Sequence, residues 1–243
     1  MCRIMYSNDF KAILSKAFVL LVMLGVLSAC RTGREPGTGG DLLLDVDGNG
    51  YSTITIGNQV WMAEDLKTTR YNDGTPIDRI ENYDEWAELT LPAYSWYNND
   101  SANREDFGAL YNYYAVETGK LCPEGWHVPS DEEWIILETS LGGASNAGGA
   151  LKEAGTDHWK TPNTGASNES GFTALPGGYR SYNGTFNWMR TYGLWWSSSE
   201  KSWYGGPPRV IYRDLRYDGQ DLRRNISDKT SGLSVRCIKN PQE

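Results

Sequence analysis

The stretch LCPEGWHVPSDEEW, Leu121–Trp134, contains one of the cysteines and the start of the main predicted helix. Ser130 and Glu133 have the spacing of a capping box, in which each side chain accepts a hydrogen bond from a backbone N–H at the start of a helix. Apolar residues then recur at helical spacing until a glycine ends the run, at Trp134, Leu137, Leu141 and Gly142. The sequence therefore predicts a helix that begins after Ser130 and ends before Gly142.

Glycine-containing turns divide the sequence before this helix into short strands. The cluster Asp47–Gly50 separates the apolar runs 42–46 and 51–56, which indicates a β-hairpin. Gly57-Asn58 indicates a second tight turn, which leads into 59–62. Strand pairing is therefore expected close to the start of the domain.

The sequence after the main helix predicts one more helix and then strands. The helix runs from about Ala147 to Ala154 and ends at Gly155. Apolar and aromatic runs separated by glycines indicate strands at Phe172–Leu175, Tyr179–Tyr182, Leu194–Ser197, Val210–Leu215 and Leu233–Ile238. Few helices, many short strands and long loops predict a compact α+β domain.

The N-terminus has the layout of an exported bacterial lipoprotein. Three basic residues precede the apolar run 17–26, which is shorter than the roughly 20 residues that a membrane span requires. Leu27–Cys30 (LSAC) is similar to a lipobox, in which the cysteine is diacylated and becomes the new N-terminus. An ordinary signal peptide with a chance cysteine, or a short buried helix, are the alternatives.

These features divide the chain into four parts. We expect a lipoprotein signal peptide at 1–29, a lipidated flexible tether at 30–41, one domain at 42–239 and a tail at 240–243. The tether prediction follows from the Gly/Pro/Thr-rich sequence RTGREPGTGG, 31–40. Arg31 is not the aspartate that retains lipoproteins in the inner membrane, which favours the outer membrane.

The charge of the mature chain excludes some partners. Removing 1–29 takes away three basic residues and one acid, which leaves 20 basic and 30 acidic residues and a net charge of −10. Such a chain is unsuited to nucleic acid, whose binding requires a positive patch. It also disfavours adhesion to anionic lipid, so the expected contact with the membrane is the lipid on Cys30.

Two cysteines remain after lipidation. Cys122 and Cys237 form an even pair in an exported protein, which predicts a disulfide. Free thiols in a metal or nucleophile site are the alternative. His127 and His158 are the only histidines, so a zinc site has few ligands available.

Three motifs invite a chemical interpretation and favour a structural one. Asp45-x-Asp47-x-Asn49 resembles the start of a calcium loop, but Ile56 stands where a bidentate glutamate is required. A hairpin turn is therefore favoured, and no cofactor or metal is predicted, although calcium stays possible.

The serines and carboxylates likewise lack the context of a catalytic site. Ser197–Ser199 has no Gly-x-Ser-x-Gly elbow and no histidine in a companion motif, so a strand end is favoured. Glu64 with Asp65, or the acids of 131–133, are conceivable acid/base pairs, and the second group is typical of a first helical turn.

The aromatic content points to binding. The chain has 10 tryptophans and 15 tyrosines, and Trp195 and Trp196 are adjacent. Neighbours in a strand point to opposite faces, so at least one of this pair is expected to leave the core. The candidate ligand-binding residues are Tyr179, Arg180, Trp195, Trp196, Trp203 and Tyr204.

Six blocks in this order resemble the Fibrobacter succinogenes major paralogous domain family of exported bacterial proteins and lipoproteins. They are IGNQVWMAEDLKTTRYNDGTPI (56–77), FGALYNYYAV (107–116), LCPEGWHVPSDEEW (121–134), GFTALPGGYR (171–180), LWWSSSE (194–200) and GLSVRCIK (232–239). The resemblance covers essentially all of the globular part of the chain.

The resemblance implies a fold more than an activity. It implies a compact C-type-lectin-like domain, a fold shared with the formylglycine-generating enzyme, and it supports the Cys122–Cys237 bridge. The calcium–sugar motifs of C-type lectins are absent, since Trp96–Asp100 is only a loose echo of one. The reactive cysteine pair of the formylglycine-generating enzyme has no evident counterpart, so neither activity carries over.

The leading hypothesis is a non-catalytic, lipid-anchored surface module that binds a polysaccharide or a surface protein. A structural component of a surface assembly is the first alternative. A hydrolase or an enzyme similar to the formylglycine-generating enzyme is the second.

Overall fold

The computed structural model describes residues 42–203 and 205–241. The predicted signal peptide, the tether with its lipidation site Cys30, and the candidate residue Tyr204 lie outside these residues. The same holds for the side chain of Trp203.

Strands outnumber helices in the described residues. The α-helices are α1 Tyr83–Ala87, α2 Arg104–Phe107, α3 Tyr113–Val116, α4 Asp131–Ser140 and α5 Ala144–Leu151, with 3₁₀ turns at Tyr97–Asn99 and Ser101–Asn103. The first eight strands are β1 Leu43–Leu44, β2 Gly50–Tyr51, β3 Thr53–Ile56, β4 Gln59–Met62, β5 Asp78–Arg79, β6 Ala93–Ser95, β7 Leu110–Asn112 and β8 Trp126–His127. The others are β9 Tyr179–Arg180, β10 Phe186–Asn187, β11 Tyr192–Trp203, β12 Gly206–Arg216, β13 Arg223–Ser227, β14 Gly232–Leu233 and β15 Ile238–Lys239.

The strands form several small sheets, and the protein is a strand-rich α+β domain. The largest sheet has the order β10-β9-β14-β7-β6-β5, and a second has the order β3-β4-β15-β8. The long strands β11 and β12 form a third sheet with β13, while β1 and β2 pair as a hairpin.

The main helix forms as its sequence predicts. The Ser130 hydroxyl accepts a hydrogen bond from the Glu133 N–H, and the Glu133 carboxylate accepts one from the Ser130 N–H at 2.8 Å. The helix ends where Gly142 adopts a φ of +87° and the Gly143 N–H donates to the Glu138 carbonyl oxygen. The capping box is therefore confirmed, and local signals alone position this helix.

The hairpin and the second turn are also confirmed. Leu43 lies opposite Tyr51, and Ile56 lies opposite Gln59 across the Gly57 turn. The Asp45 carboxylate closes the first turn by accepting hydrogen bonds from the N–H groups of Asp47 and Asn49 and from the Tyr51 hydroxyl at 2.6 Å. Asp45 therefore organises a turn, as the hairpin interpretation predicts.

The second helix is displaced from its predicted position. It spans Ala144–Leu151 instead of about Ala147–Ala154, because Lys152 leaves the helix in an extended conformation and forms a bridge with Ala174. The buried Lys152 ammonium then donates to three carbonyl oxygens, those of Thr164, Arg216 and Gly219. These tertiary hydrogen bonds end the helix early, and residue spacing carries no sign of them.

The predicted strands after this helix are right in two places and need correction in others. Strands β11 and β12 contain the predicted runs Leu194–Ser197 and Val210–Leu215, and β9 is shorter than predicted. The run Phe172–Leu175 forms no strand, because its backbone contacts a helix end and a side chain. Strand β13 was missed because its sequence, RRNIS, is charged and pairs at a sheet edge.

The predicted strand Leu233–Ile238 is in fact two strands, because the C-terminal segment passes through three sheets. Leu233 pairs with Tyr111 in the six-stranded sheet, and Ser234 forms a bridge with Trp195 of β11. Ile238 then pairs with Trp61 in the four-stranded sheet. Eight residues thus hold the separate sheets together.

A buried ion pair fixes this segment. The Arg236 guanidinium donates to Asp65 Oδ1 from Nε at 2.9 Å and from Nη2 at 2.6 Å, and both side chains are 1% exposed. The Trp195 indole N–H donates to the same oxygen at 2.8 Å. The guanidinium also lies over the Phe172 ring at 4.0 Å and donates to the Phe172 carbonyl oxygen.

The predicted disulfide is present beside this ion pair. Cys122 and Cys237 are bonded, which closes a loop over 115 residues, and both are buried. The alternative of two free thiols is therefore wrong. Under the chain-entropy model, a loop of this length stabilises the fold by about 4.8 kcal/mol.

Two hydrophobic cores lie on the two faces of the β11 sheet. Leu194 and Trp196 belong to one core together with Tyr111, and Trp195 belongs to the other together with Trp134. Because strand neighbours point to opposite faces, the adjacent tryptophans serve both cores at once.

We expect Asp65→Leu to lower the free energy of unfolding by about 3–5 kcal/mol, because it leaves the Arg236 charge buried without a partner. The double variant Asp65→Leu/Arg236→Met should be more stable than Asp65→Leu alone, since it buries no charge. Urea denaturation monitored by tryptophan fluorescence measures both.

The control is the exposed pair Lys67–Glu105, which has the same N–O distance of 2.6 Å. Glu105→Gln should cost less than about 1 kcal/mol, as exposed ion pairs do. Equal costs for Asp65→Leu and Glu105→Gln would contradict a central role for the buried pair.

Candidate functional site

The sequence-predicted binding residues do not come together on the surface. Trp195 and Trp196 are 1% and 0% exposed, and the Trp196 indole N–H donates to the Tyr111 carbonyl oxygen at 2.7 Å. The expectation that at least one of this pair leaves the core is wrong, because the sheet has a hydrophobic core on each face. Their rings hold the interior together.

Arg180 is buried as well. Its guanidinium donates to the carbonyl oxygens of Ile80, Glu81, Asn82 and Gly184 and lies over the Trp86 ring at 4.2 Å. Loss of water on burial lowers the pKa of this guanidinium to about 10. Arg180 therefore joins the segment before α1 to the β9–β10 hairpin.

Tyr179 is the predicted residue that the structure places at an open site. Its half-buried ring lies 5.0 Å from the ring of Trp188, which is 48% exposed. Trp188 in turn stacks on Tyr192 at 4.5 Å with an angle of 29° between the rings. We call these three residues, Tyr179, Trp188 and Tyr192, the aromatic platform.

Trp188 has a strained backbone conformation in this exposed position. Its φ is +66°, a left-handed conformation that costs a bulky residue on the order of 1–2 kcal/mol. The Trp188 carbonyl oxygen compensates by accepting hydrogen bonds from the N–H groups of Thr191 and Tyr192 and from the Thr191 hydroxyl. Strained residues that persist in a fold are concentrated at functional sites.

The neighbouring backbone leaves no freedom to relax this turn. Gly178 has a φ of +65°, and a Cβ there would lie 2.4 Å from the Asn187 carbonyl oxygen. The Arg190 N–H donates to the Pro176 carbonyl oxygen, and the Lys160 N–H donates to the Arg190 carbonyl oxygen. The platform is thus presented by a rigid turn.

A cavity of about 210 Å³ opens beside the platform. Aromatic, aliphatic and polar side chains line it, with Arg209 paired to Asp228 at 3.3 Å. The aromatic ones are Tyr179, Tyr182, Trp188 and Tyr212, and the polar ones are Ser181, Arg209, Ser227, Asp228 and Ser231. Flat apolar rings beside hydrogen-bonding groups suit a ligand with C–H faces and hydroxyl edges.

Sequence reasoning missed most of this site. Burial raises the pKa of Tyr212 to about 12, so its phenol stays protonated and can donate a hydrogen bond. The signal that was available is Asn183-Gly184, a hairpin turn flanked at short distance by Tyr182 and Trp188.

A larger cavity, of about 490 Å³, lies between β4, β15 and α4 and is lined by Glu133, whose carboxylate pairs with His127. The Glu133 carboxylate receives hydrogen bonds from His127 Nε2 at 2.9 Å and from the Ser130 N–H. The hydrogen bond to Glu133 raises the pKa of His127, while hydrogen bonds from His127 and Ser130 outweigh burial and lower the pKa of Glu133. No aromatic ring lines this cavity, so we favour the smaller one.

The remaining sequence candidates are bound by structural partners. Asp131 pairs with Arg213 and with Arg224, both at 2.8 Å, and Glu64 accepts a hydrogen bond from the Ser52 N–H. The Ser197 hydroxyl donates to the Ile211 carbonyl oxygen, and the Ser199 hydroxyl accepts from the Asp131 N–H. The serines lie inside strand β11, where the pairing with β12 shifts between Trp196 and Glu200, so they are structural as predicted but not at a strand end.

Two further features concern metals and membranes. Among residues 42–203 and 205–241, no three His, Cys, Asp or Glu side chains are grouped so as to hold a metal ion. Within the same residues, no helix has both the length and the apolar composition of a membrane span.

The described residues form a strand-rich α+β domain with a disulfide. Comparison with known families identifies the family of this domain. The model of the Fibrobacter succinogenes major domain matches residues 54–239. The chain belongs to this family. A search of curated proteins and a search of solved structures each returned no match.

We expect Trp196→Ala to lower the free energy of unfolding by about 3–5 kcal/mol, because it opens a cavity in the core. Trp188→Ala should cost about 1 kcal/mol, since the ring is 48% exposed and its removal opens no cavity in the core. Urea denaturation of the two variants separates a structural tryptophan from a surface one. Similar costs for the two substitutions would contradict this division.

The His127–Glu133 pair predicts a pH-dependent stability. Because the folded pKa of His127 lies above its ordinary value of 6.5, the contribution of the pair is full below that value and is lost as the pH rises through the folded pKa. We expect His127→Ala to destabilise the protein more at about pH 5.5 than at about pH 9. Thermal unfolding across that range tests this, and a pH-independent difference would exclude it.

Proposed function

We propose that this protein is a lipid-anchored, non-catalytic module of the bacterial outer membrane that binds a glycan through the aromatic platform. The observation that carries the proposal is Trp188, an exposed ring held in a strained backbone conformation beside two other rings. Backbone strain is concentrated at functional sites, so an exposed ring in a strained conformation is a candidate ligand contact.

The chemistry of the cavity supports a sugar ligand. Aromatic faces stack on the C–H faces of pyranose rings, and the Ser, Arg and Asp side chains that line the cavity can form hydrogen bonds with sugar hydroxyls. A protein partner could also use the exposed rings, since tryptophan and tyrosine are frequent anchors of interfaces. The polar side chains that line the cavity favour a glycan over a protein partner.

The wider likeness in fold belongs to the same proposal. A C-type-lectin-like domain accounts for the many short strands, the capped helix α4 and a disulfide that joins the segment before α4 to the final strands. Such domains commonly bind ligands through loops that a rigid scaffold positions.

A structural role in a surface assembly is the second candidate, and one observation favours it. Leu42, Leu44 and Val46, in and next to the β1–β2 hairpin, are 57%, 59% and 47% exposed. Self-association that is abolished by Leu44→Asn, in a protein that binds no glycan, would favour assembly over recognition.

We expect the protein to bind glycans on an array, and Trp188→Ala to weaken that binding about 30-fold, the effect of losing a contact worth about 2 kcal/mol. The control is Leu91→Ala, which removes a side chain that is 67% exposed and does not line the cavity beside the platform. The array is run with and without calcium. Unchanged binding by folded Trp188→Ala would rule out the platform as the site.

We expect Cys30 of the protein expressed in a Gram-negative bacterium to carry two or three acyl chains in a mass spectrum of its N-terminal peptide. Cys30→Ala should move the protein from the membrane fraction to the soluble fraction, because two acyl chains are needed for stable anchoring. An unmodified Cys30 in the wild-type protein would refute the anchor.

A further inference from the structure

The aromatic platform occupies only one end of a longer groove. A second cavity of about 440 Å³ adjoins the first, and Tyr182 and Asp228 line both. The second cavity is walled by Tyr114, Pro207 and Pro208. The two shared residues lie between the halves, so a ligand that fills both passes Tyr182.

Each half offers its own apolar surface. The first half has the Trp188 ring, and the second has the Tyr114 ring together with the two proline rings. A monosaccharide can contact one of these surfaces and not the other. A chain of sugars gains from both, because binding in one half raises the effective concentration of the next residues at the other half.

The cations of the groove are already neutralised. Arg209 pairs with Asp228, and the Lys229 ammonium contacts Glu117 Oε2 at 2.6 Å and Glu200 Oε1 at 2.7 Å. Hydrogen bonds to these two carboxylates outweigh burial and raise the pKa of Lys229. A carboxylate or sulfate on a sugar would meet Asp228 and, among the described groove residues, no cation without an acidic partner, which disfavours anionic ligands.

We infer that the groove binds an internal stretch of a long, uncharged polysaccharide, with different sugar residues of one chain on Trp188 and on Tyr114. The inference rests on the proposed glycan-binding function and narrows it to a substrate class. It differs from recognition of a chain end, for which one half of the groove would suffice.

The test uses the full lipidated chain in detergent and isothermal titration calorimetry. The probes are the β-1,4-linked disaccharides and hexasaccharides of glucose, xylose and mannose, together with polygalacturonate as an acidic chain. At least one neutral hexasaccharide should bind about tenfold or more tightly than its disaccharide, a gain of about 1.4 kcal/mol. Its affinity should change less than about twofold when the salt concentration rises tenfold, because no net charge is paired on binding.

Variants assign the two halves. Trp188→Ala should weaken binding of both the disaccharide and the hexasaccharide, whereas Tyr114→Ala should weaken only the hexasaccharide, by about tenfold. If Tyr114→Ala does not fold, the exposed pair Pro207→Ala/Pro208→Ala probes the same half. The double variant Glu117→Gln/Glu200→Gln releases Lys229 and should gain binding to polygalacturonate.

Any of four results would overturn the inference: equal affinity for disaccharide and hexasaccharide, no effect of either change in the Tyr114 half, polygalacturonate binding by the wild type, or no binding of any neutral hexasaccharide. The glycan array separates this from failure of the proposed function. If the array detects only acidic or monosaccharide ligands, the protein binds glycans but the inference about long neutral chains is wrong. If the array detects no ligand, both the proposed function and the inference are wrong.

Discussion

The buried ion pair between Asp65 and Arg236 is the interaction on which the rest of the structure depends. A guanidinium and a carboxylate that are both 1% exposed are stable only together, since either one alone would be an uncompensated charge in the interior. The Trp195 indole N–H shares the same oxygen, and the Phe172 ring lies against the guanidinium. Four segments that are distant in sequence are therefore fixed to one point. The disulfide at Cys237, the residue directly after Arg236, secures the same segment covalently.

This central constraint explains how small sheets make one stable scaffold. Two-residue strands such as β14 and β15 have little stability of their own, because isolated short pairings are marginal in water. Here the C-terminal segment passes from one sheet to the next within eight residues, so each pairing is held by its neighbours. A scaffold of this kind can support backbone strain at its surface, and the turn at Trp188 is where the described chain presents an exposed aromatic ring in a left-handed conformation.

The sequence predicts the features that local chemistry determines. The capping box of α4, the Asp45 turn and the Gly57 turn each depend on residues within a few positions of one another, and all three formed as expected. The misplaced features depend on distant partners. Lys152 ends α5 through carbonyl oxygens that follow it by 12 to 67 residues, and the charged strand β13 forms because β12 offers it an edge. Alternation along β11 correctly placed Trp195 and Trp196 on opposite faces, but it carries no information about what covers each face.

The same reasoning separates the two uses of tryptophan in this chain. A buried indole is stabilised when its N–H finds an acceptor, since an unsatisfied donor in the interior costs about 1–3 kcal/mol. Trp134, Trp159, Trp195 and Trp196 all donate to acceptors inside the protein, which marks them as structural. Trp188 is held by ring stacking and by its own backbone carbonyl, so its edge and outer face are left to solvent. The abundance of aromatic residues is thus largely a property of the two cores, and the proposed binding site uses partly exposed rings at the edge of one of them.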